Sequence, residues 1–142
     1  MTYINKKYLG LDYGSVRIGV SISDELGILA RPFMVLKNSK NIKTEIENII
    51  LQNQIQKIII GLPINLQGQK SNKTLEVEKF VNDVICKIGI DYEYWDERFT
   101  SLQAKNISLM INTKKKKRQE KGLIDKYAAA ILLQTFLDSV KK

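Results

Sequence analysis

The chain has 142 residues, 44% of them hydrophobic, with a formal net charge of +8, one cysteine and no histidine. Length and composition fit one domain over residues 1–142 with a sizeable core, and they argue against disorder. The absence of histidine excludes Ser-His-Asp and Cys-His nucleophiles, histidine general bases and ordinary zinc sites. Any metal must therefore be held by oxygen ligands, which favours Mg²⁺ or Mn²⁺.

The segment MTYINKKYLGL lacks a signal-peptide pattern, and residues 8–12 (YLGLD) read as a short buried strand. Residues 17–23 (RIGVSIS) form a second strand, joined to the first by a tight turn through Gly14 and Ser15. Residues 28–36 (ILARPFMVL) suggest a third strand. Pro32 removes a ladder donor there, which places this strand at an edge or gives it a bulge. The period then changes: Ile42, Ile46, Ile49 and Ile50 fall at helical spacing with charges between them. Residues 57–63 (KIIIGLP) are a continuous β-branched run, suited to a strand buried on both faces.

After the loop INLQGQKSN, residues 74–89 are amphipathic through Leu75, Phe80, Val81, Val84, Ile85 and Ile88, with Gly89 just past the helix end. Residues 90–95 (IDYEYW) are the fifth strand, and Thr100 or Ser101 can cap a helix through Met110. A final helix spans IDKYAAAILLQTFLDSV, and Cys86 and Trp95 read as core. Three strands joined by short turns must be antiparallel neighbours, whereas the later two need helical crossovers and hence parallel pairing. The expected fold is α/β: a mixed five-stranded sheet, three antiparallel strands then two parallel, with helices on both faces.

Charge is uneven. KKKKRQEK, residues 114–121, carries a net +5 and leaves +3 for the rest of the chain. Lys114, Lys115, Lys116, Lys117 and Arg118 can grip a polyanion, although a solvated lysine-rich loop is the plainer reading. A single cysteine permits no internal disulfide, and no apolar run approaches the ~18 residues of a membrane span, so a cytoplasmic chain is expected.

Three carboxylates fall at element ends. Asp12 closes the first strand, Glu97 follows the fifth, and Asp125 lies in the first turn of the last helix, on a face with Ala128, Ala129 and Leu132. Sites in such sheets form outside the carboxyl ends of parallel strands, so all three can reach one rim. Converging carboxylates repel, and a divalent cation removes the conflict. Two such ions ~3.5–4 Å apart suit in-line attack of water on a phosphodiester. Arg17 and Arg98 could hold phosphates or orient the acids. Each residue also has a plainer role: Asp12 in an Asx turn, Glu97 in a surface ion pair, Asp125 at a positive helix end, and Gly14 as a turn glycine.

LGLDYGSVRIGVSISD, IIIGLPINLQGQKS, DERFTS and IDKYAAAILLQ, in that order and over nearly the whole chain, resemble the YqgF family, also called RuvX-like proteins. The resemblance implies a ribonuclease H-like fold and a metal-dependent nuclease with catalytic acids at Asp12, Glu97 and Asp125. Several related nucleases carry their second acid after the fourth strand; here that segment, GLPINLQG, has none, and the family pattern departs at this point. The resemblance further implies maturation of the 5′ end of precursor 16S ribosomal RNA, that is, a part in ribosome biogenesis, with precursor ribosomal RNA as partner; separately, a monomer or weak homodimer is expected as the working form. The alternatives are cleavage of four-way DNA (Holliday) junctions, which wants a dimer, and a non-catalytic nucleic-acid-binding module. LDYGSVRIG also resembles the phosphate-binding strand pair of actin-like ATPases, but the chain is too short for their two lobes.

Overall fold

A computed structural model describes residues 6–99 and 120–140, excepting the side chains of residues 99 and 120–126. The expected helix from Thr100 or Ser101 to Met110 and the basic residues Lys114 to Arg118 lie outside the described residues.

Five strands form one sheet: β1 (Tyr8–Asp12), β2 (Arg17–Ser23), β3 (Ala30–Lys37), β4 (Lys57–Leu62) and β5 (Asp91–Asp96). Their order is β3-β2-β1-β4-β5, with β1–β2 and β2–β3 antiparallel and β1–β4 and β4–β5 parallel, as expected. Pro32 sits on the edge strand β3, and the β2–β3 register shifts between Val20 and Ser21, which places it both at an edge and beside a bulge. Helix α1 (Ile42–Asn53) buries Ile42, Ile46 and Ile49.

The second crossover departs from a regular helix. It comprises α2 (Asn72–Phe80), a π-helical segment (Val81–Ile85) and a last turn, α3 (Cys86–Ile88), which Gly89 ends at φ 85°. Its buried face is Thr74, Val77, Phe80, Val81 and Ile85. Leu75, expected in the core, is 54% exposed, while Thr74 is fully buried. The cap sets this phase. Ser71 and Thr74 form a reciprocal capping box, and the Thr74 hydroxyl also donates to the Pro63 carbonyl, so position 74 must face the sheet and position 75 turns outward. Cys86, also expected in the core, is exposed beside the Tyr92 hydroxyl at 3.8 Å.

The two sheet faces carry different residues because strand side chains alternate. Leu9, Leu11, Ile18, Val20, Ile22, Ile58 and Ile60 pack with α1, α2 and the π segment. Ile59 packs with Leu132, Leu133, Phe136 and Leu137 of the last helix, α4 (Glu120–Val140). Trp95, expected in the core, is partly buried at its margin: it stacks edge-on to Phe136 at 5.6 Å, and its indole N–H donates to Thr135 Oγ1 at 2.8 Å.

Helix α4 lies close to β1 and β2 because small residues face it. A Cβ on Gly10 would collide with Ser21 Oγ and come within 3.0 Å of Leu133 Cβ and 3.2 Å of the Ala129 carbonyl oxygen. Ser21 Oγ donates to that carbonyl at 2.7 Å, a buried bond tying β2 to α4. Ser21→Ala is expected to cost about 1–2 kcal/mol, lowering Tm by roughly 3–7 °C in a thermal melt.

Candidate active site

The carboxyl ends of β1, β4 and β5 share one rim, because the pairs Leu11–Ile60 and Leu62–Asp96 hold them in step. Asp12 ends β1 there. Beyond β5, Glu97–Phe99 makes a single 3₁₀ turn, which folds Glu97 back over β4. It settles on Gly61, where a Cβ would stand 2.6 Å from Glu97 Oε2 and 3.0 Å from its Cγ. Any other residue at position 61 would occupy the seat of Glu97.

The structure thus brings the carboxyl groups of Asp12 and Glu97 together, within hydrogen-bonding reach of each other. Burial pushes the Glu97 carboxyl above its ordinary value, and nearby Asp96 adds to this. The ammonium of Lys73 and the bond to Asp12 pull the other way. Two acids held against each other, one of them in surroundings that disfavour its charge, mark a place where a cation would relieve both.

Asp125 lies on α4, but not in its first turn. The helix begins at Glu120, four residues earlier than expected, so Asp125 falls in the second turn and the cationic segment runs into the helix. Its side chain is outside the described residues. The face it was expected to share is the one that meets the sheet: Ala129 and Leu132 are buried, and Ala128 is half-buried. Among the described residues no three acids are grouped to hold a metal.

The arginines divide. Arg17 opens β2 on the Asp12 rim, opposite Lys37 of β3. The intervening turn is clamped by Asn38, whose side chain donates to the Gly14 carbonyl at 3.0 Å and whose backbone N–H donates to Val16 at 2.9 Å. Gly14 is needed for close approach, since a Cβ there would collide with the Arg17 carbonyl. Arg98 does not orient Glu97. It forks onto Asp96 (Nη2–Oδ2 2.6 Å, Nε–Oδ2 2.9 Å), which holds the Asp96 carboxyl below its ordinary range. The loop after β4 lies on the same rim, as expected: Gly68 stands beside Arg98, with 3.5 Å from an added Cβ to Nη1.

Sequence reasoning missed Gly61 as the seat of Glu97, Asp96 as the partner of Arg98, and Lys73. Gly61 alone left a signal, as a glycine interrupting an otherwise β-branched strand.

The raised Glu97 carboxyl has a consequence for stability. A folded-state value above the unfolded one means that the stabilisation is present below the unfolded value and is lost as pH rises through the folded one. Metal-free protein should therefore lose stability from about pH 4.5 upward, the ordinary glutamate value. Glu97→Gln, whose amide can still donate to Asp12, should raise the metal-free Tm at pH 7 by roughly 2–6 °C and flatten its pH dependence.

The architecture matches RuvC from Thermus thermophilus solved in complex with a Holliday junction substrate, with TM-score 0.58, 15% identity, and 96% of this chain and 98% of that one covered. A second T. thermophilus RuvC structure gives 0.55 at 15% identity, covering 94% and 95%. The class defined by this fold is therefore ribonuclease H-like. The model of the RuvX family, described as Holliday junction resolvase, matches residues 6–139. A Sulfurihydrogenibium protein named "Putative pre-16S rRNA nuclease" is 39% identical over 134 residues, 93% of this chain and 90% of that protein. A protein of the same name from Clostridioides difficile is 37% identical over 138 residues, 95% of this chain and 96% of that one. The chain belongs to the RuvX family, and its activity class is hydrolysis of phosphodiester bonds.

Proposed function

We propose that this chain, acting as one ribonuclease H-like domain, is a divalent-metal-dependent nuclease that trims the 5′ end of precursor 16S ribosomal RNA. The observation that carries the catalytic part is the Asp12–Glu97 carboxyl pair on the strand-end rim, with Glu97 seated on Gly61. The RNA part is supported by the relatives at 33–39% identity, which carry the pre-16S rRNA nuclease name.

Divalent metal dependence is general to this family, and the donors fit such an ion. They are carboxylate oxygens, half-buried, and burial holds the Glu97 carboxyl above its ordinary value. Asp12, Glu97 and Asp125 would hold it, and oxygen-only ligation favours Mg²⁺ or Mn²⁺. When bound, the ion supplies charge neutralisation for the attacked phosphate and activation of water. The chain's own part is to present ionised carboxylates at a fixed rim. Asp12 is held by β1, and Glu97 by the 3₁₀ turn and the glycine beneath it. Arg17, Arg98 and Lys114 to Arg118 are assigned to the nucleic-acid backbone, with a monomer or weak homodimer as the acting species.

The test is cleavage by wild type in Mn²⁺ of a precursor ribosomal RNA fragment and of a synthetic four-way DNA junction. Cutting of the RNA alone, near its 5′ end, supports the proposal. Symmetric nicking of the junction alone, with a dimer in sedimentation, replaces it with the resolvase reading, because two nicks need two sites.

A further inference from the structure

We propose that Lys73 is a substrate-positioning residue that contacts a phosphate at the reacting end of the nucleic acid. The inference rests on the nuclease reading above. Three cations lie on the connection from β4 to α2, on the first turn of α2 and on the turn after β5: Lys70, Lys73 and Arg98. Lys70 is paired with Glu78 at 2.9 Å, and Arg98 with Asp96 at 2.6 Å. Lys73, exposed on the first turn of α2, has no salt bridge within 4 Å among the described residues, yet its charge reaches the Glu97 carboxyl. Its charge is therefore the one of the three that can meet an incoming anion with no ion pair to break, whereas Arg98 must first give up Asp96.

Its position is also the most constrained. The neighbouring Thr74 is fully buried and bonded to the Pro63 carbonyl at the end of β4, and Ser71 closes the capping box. The backbone of the residue one step before such an anchor is fixed at the exit of β4, while its exposed side chain keeps its reach. Lys73 thus rises from the exit of β4 on a helix of the scaffold and not on a free loop, with its charge felt at Glu97. A nearby ammonium opposes metal binding at Glu97 electrostatically, so a role confined to the acids would be counterproductive. A phosphate lying between the acids' cation and Lys73 would satisfy both charges.

The experiment compares wild type, Lys73→Gln, Lys73→Arg and Asp12→Asn. A fluorescent RNA hairpin with a single-stranded 5′ tail is titrated in EDTA across a salt series, Mn²⁺ binding is measured by calorimetry, and cleavage is measured in Mn²⁺. Lys73→Gln should lose about 0.7–0.9 from the slope of log affinity against log salt, one phosphate contact, while Lys73→Arg keeps the slope. Cleavage by Lys73→Gln should fall roughly 10–100-fold, with Mn²⁺ affinity unchanged or tighter. An unchanged slope overturns the inference, whether cleavage persists or is lost with weakened Mn²⁺ binding; the latter would mean that Lys73 only supports Glu97. If Asp12→Asn cuts as fast as wild type, the nuclease site itself is misplaced, but the metal-free slope still decides on Lys73.

Discussion

Asp12→Asn should abolish cleavage, by at least about 10³-fold in kcat, while the protein stays folded with a Tm equal to or above that of wild type. The substitution is isosteric and removes only charge. Asp12 meets Glu97 at a rim where burial already disfavours the charged Glu97 carboxylate, so a neutral amide at position 12 relieves repulsion in the metal-free protein. Under the proposed function, the same neutrality leaves Glu97 without the second carboxylate that would hold the ion. Cleavage within tenfold of wild type would mean that Asp12 serves the β1–β2 turn and not the chemistry. Steady-state rates beside thermal melts distinguish the two, because a turn defect lowers Tm and an electrostatic one does not.

The second large effect is expected at Gly61. Gly61→Ala places a methyl group 2.6 Å from Glu97 Oε2 and 3.0 Å from its Cγ, and in collision with Leu132 Cδ1 of α4. Both neighbours must shift. Overpacking of this kind costs about 1–3 kcal/mol, and a displacement near 1 Å at a reacting group can cost about 10²-fold in rate. The expected result is a Tm drop of roughly 3–10 °C together with a 10–100-fold loss of cleavage. Gly89→Ala provides the contrast. Gly89 has φ 85° but nothing within 4 Å of an added Cβ, so the alanine should cost about 1–2 kcal/mol of backbone strain with cleavage unchanged. Equal losses of rate in the two variants would show that the Gly61 effect is mere destabilisation.

Much of this arrangement could be read before any coordinates. Alternation in RIGVSIS, the β-branched run Ile58–Ile60 and the isoleucine spacing of α1 are patterns of period two and 3.6, and periodicity is what burial imposes on a sequence. Pro32 announced an edge strand because a missing donor is tolerated only there or at a bulge. The errors arose where periodicity had two solutions or where a partner was distant. Residues 74–89 support more than one apolar stripe, and the Thr74 bond to Pro63, not hydrophobicity, selected the one that exposes Leu75. The π segment shifts the helical phase after Phe80, which leaves Cys86 exposed. The last helix begins at Glu120 because Gly122 in its first turn is tolerated, although it reads as a breaker.

The site divides along the same line. Carboxylates at strand ends are visible in sequence, since strand ends are where α/β sheets place their chemistry. Which cation answers which acid is not, because Arg98 lies next to Glu97 in the chain and yet bonds Asp96. Nor is a seat such as Gly61 visible, since its meaning comes from a side chain thirty-six residues away that reaches it only after β5 has paired with β4.

The claim underlying all of this is that Asp12, Glu97 and Asp125 hold one cation centre. The most direct measurement loads the protein with Fe²⁺ in place of the native ion and generates hydroxyl radicals with ascorbate and peroxide, so that the backbone is cut wherever it passes the metal. Fragments ending near residues 12, 97 and 125, suppressed together by excess Mg²⁺ and absent from Asp12→Asn, are the predicted result. Cuts that spare the neighbourhood of any one of these acids, or that persist in Asp12→Asn, would contradict the claim.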